Sequence, residues 1–161
     1  MIPSITFTNN SSQSFNTLND WKLAPSTKPY FSIPTQKTQT IEIPGRNGLL
    51  DISNSMKVGG GPLFNNRDGS FDFYFLDLTY YGNIGWSDYL SKKNDTISSI
   101  LSFLHGQFLD AVLSYDSNFK YHGRFWVENY NNPSDGSNDI ITIGYSVEPY
   151  KKNITTGEER L

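Results

Sequence analysis

The chain contains no cysteine. That excludes a disulfide framework, a thiolate zinc site and a cysteine nucleophile. It suits a reducing cytosol and equally a particle that must survive outside a cell. Basic residues are scarce. Thirteen Lys plus Arg stand against sixteen Asp plus Glu, for a net charge of −3 and an isoelectric point near 5.3. A nucleic-acid binder needs clustered cations to neutralise phosphates, and these are scattered. The densest pairs, Lys92-Lys93 and Lys151-Lys152, read as solvated ends of elements. Long apolar runs are absent too; nothing approaches the ~18 residues of a membrane span. The start, "MIPSITFTNN", lacks the basic and apolar regions of a secretory signal. The glycosylation patterns at Asn10, Asn94 and Asn153 are therefore read as chance matches in an Asn- and Ser-rich chain. The expectation is a protein made in the cytoplasm that stays soluble.

Aromatic residues are abundant. They make up 15% of the chain, with ten Tyr and eleven Phe, while charged residues reach only 18%, below the roughly 25% of an average globular protein. Such a chain is rich in strand formers and poor in solvating charge, which argues against disorder. Its 161 residues suit one domain and suffice to bury about two-thirds of the unfolded surface.

Periodicity predicts a mainly β protein. Residues 1–36 read as strand fragments, Ile5 to Phe7 and Trp21 to Leu23, followed by a long loop or an extended arm. Pro25, Pro29 and Pro34 keep Ala24 to Thr35 from being a helix or a central strand. Residues 37–152 read as the core of the fold. Lys37 to Ile43 alternates with Ile41 and Ile43 on one side, and "GSFDFYFLD" puts Phe71, Phe73 and Phe75 on one face. One helix is expected over about 92–105, starting as early as Asp88 to Leu90. Its apolar stripe is Ile97, Ile100, Leu101 and Leu104, its N-cap Asn94 or Asp95, and its C-terminal cap Gly106. Three strands follow. Leu109, Ala111, Leu113 and Tyr115 share a face of the first, then Tyr121, Phe125 and Val127, then Ile141, Ile143, Tyr145 and Val147. The polar loop "NNPSDGSND" separates the last two. Residues 153–161 read as a polar, frayed tail. One helix and about seven antiparallel strands, with one wet face, make a β-sandwich or small barrel with a helix packed on it.

Candidate chemistry is sparse. His105 in the last helical turn suits the carbonyl ends, and His122 has no carboxylate at a ligand or triad spacing in sequence. Asp68, Asp72 and Asp77 flank the Phe strand, with Asp72 pointing outward; a glycosidase pair from separate strands has no pointer here. "GGGPLFNNRDG" lacks phosphate-loop spacing and reads as a turn or bulge. Tyr30, Phe31, Tyr80, Tyr81 and Trp86 read as a sugar-stacking platform or as contacts of a protein interface. No cofactor or metal is implied. Gly123, on the apolar strand face, marks a bulge or close packing. Arg124 beside it braces a core carboxylate or is solvated.

Five stretches in order carry a resemblance: "IPGRNGLLDIS", "PLFNNRDGSFDFYF", "ILSFLHGQ", "AVLSYDSNFKYHGRFWV" and "IITIGYSVEPYKK". Together, from Lys37 to Lys152, they resemble the N-terminal domain of siphophage distal tail (Dit) proteins, found in phages and prophages. The resemblance implies a tail-tube-like β-sandwich with a helix, and a structural virion component without catalysis. It implies a homo-oligomeric ring, usually a hexamer, at the tail tip. One side of the ring stacks on the major tail tube protein and the other holds the hub or tail-associated lysin. Many members continue after a Glu-Pro-Tyr motif, matched by Glu148-Pro149-Tyr150, into a carbohydrate-binding domain. Here about a dozen residues follow that motif, which leaves host-surface sugar binding open. The family's P-G-R-[DN]-G motif falls on Pro44 to Gly48. Gly45 and Gly48 permit positive φ, and Arg46 at the tip has forked donors for a neighbouring subunit. Arg67 and Arg124 complete the candidate turn and interface residues. A carbohydrate-binding module is the alternative, and a glycan-hydrolase fragment the third reading.

Overall fold

Alternating burial organises the chain. In the computed structural model, which describes residues 2–82, 84–133 and 138–161, the strand β6 (Arg67–Phe75) buries Phe71, Phe73 and Phe75 and exposes Asp72 and Tyr74. The strands β7 (Gln107–Leu113), β8 (Phe119–Asn131) and β9 (Ile140–Val147) do the same with Leu109, Ala111, Leu113, Tyr121, Phe125, Ile141, Ile143, Tyr145 and Val147. Side chains alternate across a pleated strand, so one face of each is apolar. Removing those faces from water, at roughly 25 cal/mol per Å² of apolar surface, drives the assembly.

Among the described residues nine strands form one sheet. β6 pairs with β9, β9 with β8 and β8 with β7, all antiparallel. The sheet continues through β1 (Ile5–Thr8) to β2 (Ser14–Asn16) on one side, and through β6 to β3 (Leu23–Pro25) on the other. Residues 17–23 bring the two ends together. The Thr17 N–H donates to Ile5 O at 2.9 Å, and the Leu23 N–H to Thr17 O at 2.8 Å. The anticipated mainly β, antiparallel architecture with one packed α-helix is what the chain adopts.

Several boundaries differ from the sequence reading. The first 36 residues supply core rather than an arm. Ile5, Phe7, Trp21, Leu23 and Phe31 are all buried, and Phe7 lies edge-on to Phe125 at 4.9 Å between centroids. Pro25 does sit in a strand, but at the sheet's edge, where a missing N–H is tolerated. The helix α1 (Trp86–Phe103) starts six residues before position 92, and its N-cap is Gly85, without a side-chain cap. Neither Asn94 nor Asp95 caps it. Ile100 and Leu104 reach the core, whereas Leu101 is exposed. Trp86, Tyr89, Leu90 and Lys93 continue the same stripe through the helix's first two turns, and of these Tyr89 and Lys93 are buried. Tyr115 lies past the end of β7 and is partly exposed.

Residues 37–43 do not join the main sheet. Thr40–Glu42 (β4) pairs only with Leu49–Asp51 (β5), as a separate two-stranded ribbon. The C-terminal segment is not frayed: Lys151–Asn153 (β10) pairs with β8 and with Glu159–Arg160 (β11). Asn153 Oδ1 accepts from the Thr155 and Thr156 N–H groups at 2.9 and 3.0 Å, forming the turn between them. Of the polar loop at 131–139, positions 134–137 lie outside the described residues.

Gly123 answers to close packing. A Cβ built there would overlap the Ser146 carbonyl oxygen and the Val147 Cα, so backbone fills the space a side chain would need. The irregularity in β8 lies further on, between Val127 and Asn129.

Candidate interface site

The ribbon of β4 and β5 is the outer part of a lobe spanning residues 36–64. Its root is a bridge between Gln36 and Phe64, with the Lys37 N–H donating to Leu63 O at 2.8 Å. Phe64 meets Tyr150 of the body edge-on, 6.2 Å between centroids. Inside the lobe, only Ser53 is buried. The Gln39 N–H donates to Ser53 Oγ at 2.7 Å, and the Ser53 N–H donates to Asp51 Oδ1 at 2.9 Å. The Ser53 hydroxyl also donates to that carboxylate. These bonds hold the Asp51 carboxyl below its ordinary pKa, the side-chain bond most.

The tip is the turn Ile43 to Gly48. Gly45 and Gly48 have φ of +79° and +76°, a region where a Cβ crowds the backbone and glycine is favoured. The Arg46 N–H donates to Ile43 O at 3.1 Å, tightening the turn. The Arg46 side chain is exposed. The lobe also carries apolar side chains without a core to join: Leu49 is 61% exposed, Val58 fully so, and Ile41 and Met56 over a third. A two-stranded ribbon alone is marginal in water. An arrangement of this kind can present apolar surface and a forked cation to another molecule.

The other candidate residues are dispersed. Arg67 is not at a surface; it is 7% exposed. Its Nε and Nη2 donate to Pro149 O at 3.0 and 2.8 Å, and its Nη1 to Ser32 O at 3.2 Å. Tyr121 lies beneath the guanidinium at 5.6 Å. Burial lowers its pKa from the ordinary value. Arg67 therefore ties the segment after Pro29 to the Glu148–Tyr150 turn. Among the described residues Arg124 braces no carboxylate; it lies 4.4 Å over the Phe108 ring and donates to Gly106 O at 3.3 Å. Gly106 has φ of +74°, and its N–H donates to Phe125 O at 2.7 Å.

The histidines also moved. His105 is past the end of α1, and its Nδ1 accepts from the Val127 N–H at 2.9 Å, so it serves β8 rather than the helix dipole. His122 does have a carboxylate beside it: Asp110 of β7 is 2.8 Å from Nδ1. The pairing of β7 with β8 puts these two side by side, which linear spacing does not reveal. Among the described residues no group of three or more acidic, His or Cys side chains converges as a metal site. Among the described residues no helix is long and apolar enough to cross a membrane.

The anticipated aromatic platform divides. Phe31 is core, 4.3 Å from Tyr121 and 4.8 Å from Tyr145 between centroids. Tyr30 joins Tyr115 and Lys28 on one side of the body. Tyr80 and Tyr81 end a short 3-10 turn (Leu78–Tyr81), and Trp86 begins α1. Sequence reasoning missed the Lys93–Asp139 ion pair, 2.8 Å apart and largely buried. The spacing of Trp86, Tyr89 and Lys93 places Lys93 on the buried helical face but carries no sign of its partner.

No protein-family model matches the sequence, and no curated protein matches it either. The fold is similar to the crystal structure of the SPP1 Dit protein, described as a paradigm of the hub adsorption apparatus in phages that infect Gram-positive bacteria. The TM-score is 0.58 at 13% identity, over 95% of this chain and 52% of that one. This chain thus spans about half of that protein's length. The likeness is one of fold.

Proposed function

We propose that this chain is a structural phage-tail protein. It assembles as a six-fold ring at the distal tip of a long tail and joins the tail tube to a hub or tail-associated lysin. The observation that carries this reading is the fold likeness to SPP1 Dit along nearly the whole chain. The coreless lobe supports it, because its exposed apolar side chains and the exposed Arg46 suit burial against a second protomer. On this reading the protein works by shape and contact. It has no catalytic step or cofactor, binds no nucleic acid, and resides in the virion after synthesis in the bacterial cytoplasm.

The test is the mass of the purified protein by light scattering, with negative-stain images, alone and with tail tube protein. The expected species is a closed ring. Arg46→Ala and Val58→Glu should each shift it toward monomer while leaving far-UV circular dichroism unchanged. A monomer under both conditions, or variants that assemble as the parent does, would refute the role given to the lobe and the ring.

A further inference from the structure

A second surface feature lies away from the lobe, where the start of α1 faces the end of β6 and residues 132, 133, 138 and 139. Described residues enclose a cleft of about 380 Å³ there, within the size range of small-molecule sites. Trp86 forms one wall and is 63% exposed, an unusual placement for so large an apolar ring. Its ring leans on Tyr89, 5.4 Å between centroids, and Tyr89 is fixed by a hydrogen bond from its hydroxyl to Leu76 O at 3.0 Å. Lys93 and Asp139 line the same cleft. They are paired at 2.8 Å and largely buried, and Tyr130 also donates to Asp139. Asp77 stands at the edge, its Oδ1 accepting from the Thr79 N–H at 3.1 Å.

We propose that this cleft binds a neutral saccharide, with one pyranose ring against Trp86 and its hydroxyls on Asp77 and the Lys93–Asp139 pair. The chemistry selects this class. A pyranose offers an apolar C–H face to an aromatic plane, and vicinal hydroxyls that both donate and accept. The lining supplies a rigid exposed indole, carboxylate acceptors and an ammonium donor, whose bonds to hydroxyls are charge-assisted. A phosphate or nucleotide is disfavoured, because the cleft's lysine is already matched by Asp139. A lipid is disfavoured by the buried ion pair. Fixed by its partners, that pair needs little reorganisation to receive a ligand.

The chain's three tryptophans make the test specific. Trp21 is buried, Trp126 half-buried and Trp86 exposed, so a ligand on Trp86 shifts emission to the blue. Titration with methyl glycosides of glucose, galactose and N-acetylglucosamine, and with their oligomers, should give a saturable shift for at least one of them. Half-saturation is expected near ~1 mM, typical of a weak site. Asp77→Asn keeps the turn cap and should weaken binding about tenfold. Trp86→Ala should abolish the heat of binding in calorimetry with the circular dichroism spectrum unchanged. The proposal is overturned if none of these sugars gives a saturable signal, or if binding survives both substitutions. It is also overturned if Trp86 emission shifts with protein concentration alone, which would mean that a second copy covers the cleft. The sugar titrations, run at one protein concentration, do not depend on ring assembly, so a failure of sugar binding and a failure of the tail-adaptor reading are told apart.

Discussion

The body of the molecule and the lobe at residues 36–64 are both antiparallel, yet different forces hold them. In the body, each strand hides one face and the aromatic rings interlock: Phe31, Phe71 and Tyr145 lie within 5.2 Å of one another between centroids. In the lobe, β4 exposes every residue and β5 only half-buries Leu50. Its shape rests on a glycine-framed turn and a few hydrogen bonds around Ser53. The difference shows what strand pairing alone supplies. Backbone hydrogen bonds define a geometry, but their net contribution is modest because water competes for the same groups. Burial supplies the stability. A lobe lacking burial is where a partner can contribute most.

The largest test of that contrast pairs two truncations. Phe73 is fully buried, flanked in register by Pro25 and Ile141. Phe73→Ala removes a packed ring and should cost about 3–5 kcal/mol in urea denaturation. Leu49→Ala in the lobe should change the monomer's stability by less than about 0.5 kcal/mol. Comparable losses would mean that the lobe is part of the cooperative fold, and the distinction would fail.

Next in size is an alkaline transition confined to the body. Desolvation, first among the causes, raises the pKa of Tyr81, Tyr89, Tyr121 and Tyr130, and pushes Tyr115 up to about 12. The lobe contains no tyrosine. A tyrosine is neutral below its pKa, so a folded value above the unfolded ~10 means the native state holds its proton longer. The contribution is fully present below pH ~10 and is lost as pH rises through the folded values. Stability should therefore decline between pH 10 and about 12, with tyrosinate absorbance lagging behind that of a denatured control. A tyrosinate titration centred on pH ~10 in the native protein would remove the argument.

How much of this was legible in sequence depended on whether a signal was local. Strands with strict alternation, such as Phe71-Phe73-Phe75 and Ile141-Ile143-Tyr145, declared both their existence and their buried face. The glycines of the Arg46 turn declared its positive φ values. Pairings between distant strands were invisible: nothing near His122 announces Asp110, and nothing near Lys93 announces Asp139. Alternation at Ile41 and Ile43 misled, because two apolar residues on one side of a strand do not say whether anything covers them. Arg67 misled in the opposite direction. A turn-like neighbourhood suggested exposure, but three carbonyl bonds from Pro149 and Ser32 satisfy its donors inside the body. Helix α1 began early because Trp86, Tyr89 and Lys93 continue the face of Ile100 and Leu104 toward the N-terminus, with a lysine where an apolar residue would have marked the stripe.

The smallest expected effect is also the most local. Ser53→Ala removes the acceptor of the Gln39 N–H and one donor to Asp51. A part-buried hydrogen bond of this kind is worth about 1 kcal/mol, which corresponds to roughly fivefold faster amide exchange at Gln39. The global urea midpoint should not move, because Ser53 touches no part of the body's core cluster. Acidification should act in the same direction. The Ser53 bonds hold the Asp51 carboxyl low, so they support the lobe above the unfolded value of ~3.9 and are lost as pH falls through the lower folded one. Exchange in the lobe should thus quicken in acid in the parent protein and respond less in Ser53→Ala. The comparison then turns on assembly. If a neighbouring protomer buries the lobe, amide protection across residues 37–53 rises with oligomer formation far beyond what one serine supplies, and the Ser53→Ala effect shrinks into that background. If protection stays that of a solvent-exposed ribbon in the assembled particle, the lobe is not the contact surface, and Arg46 is an idle arginine on a turn.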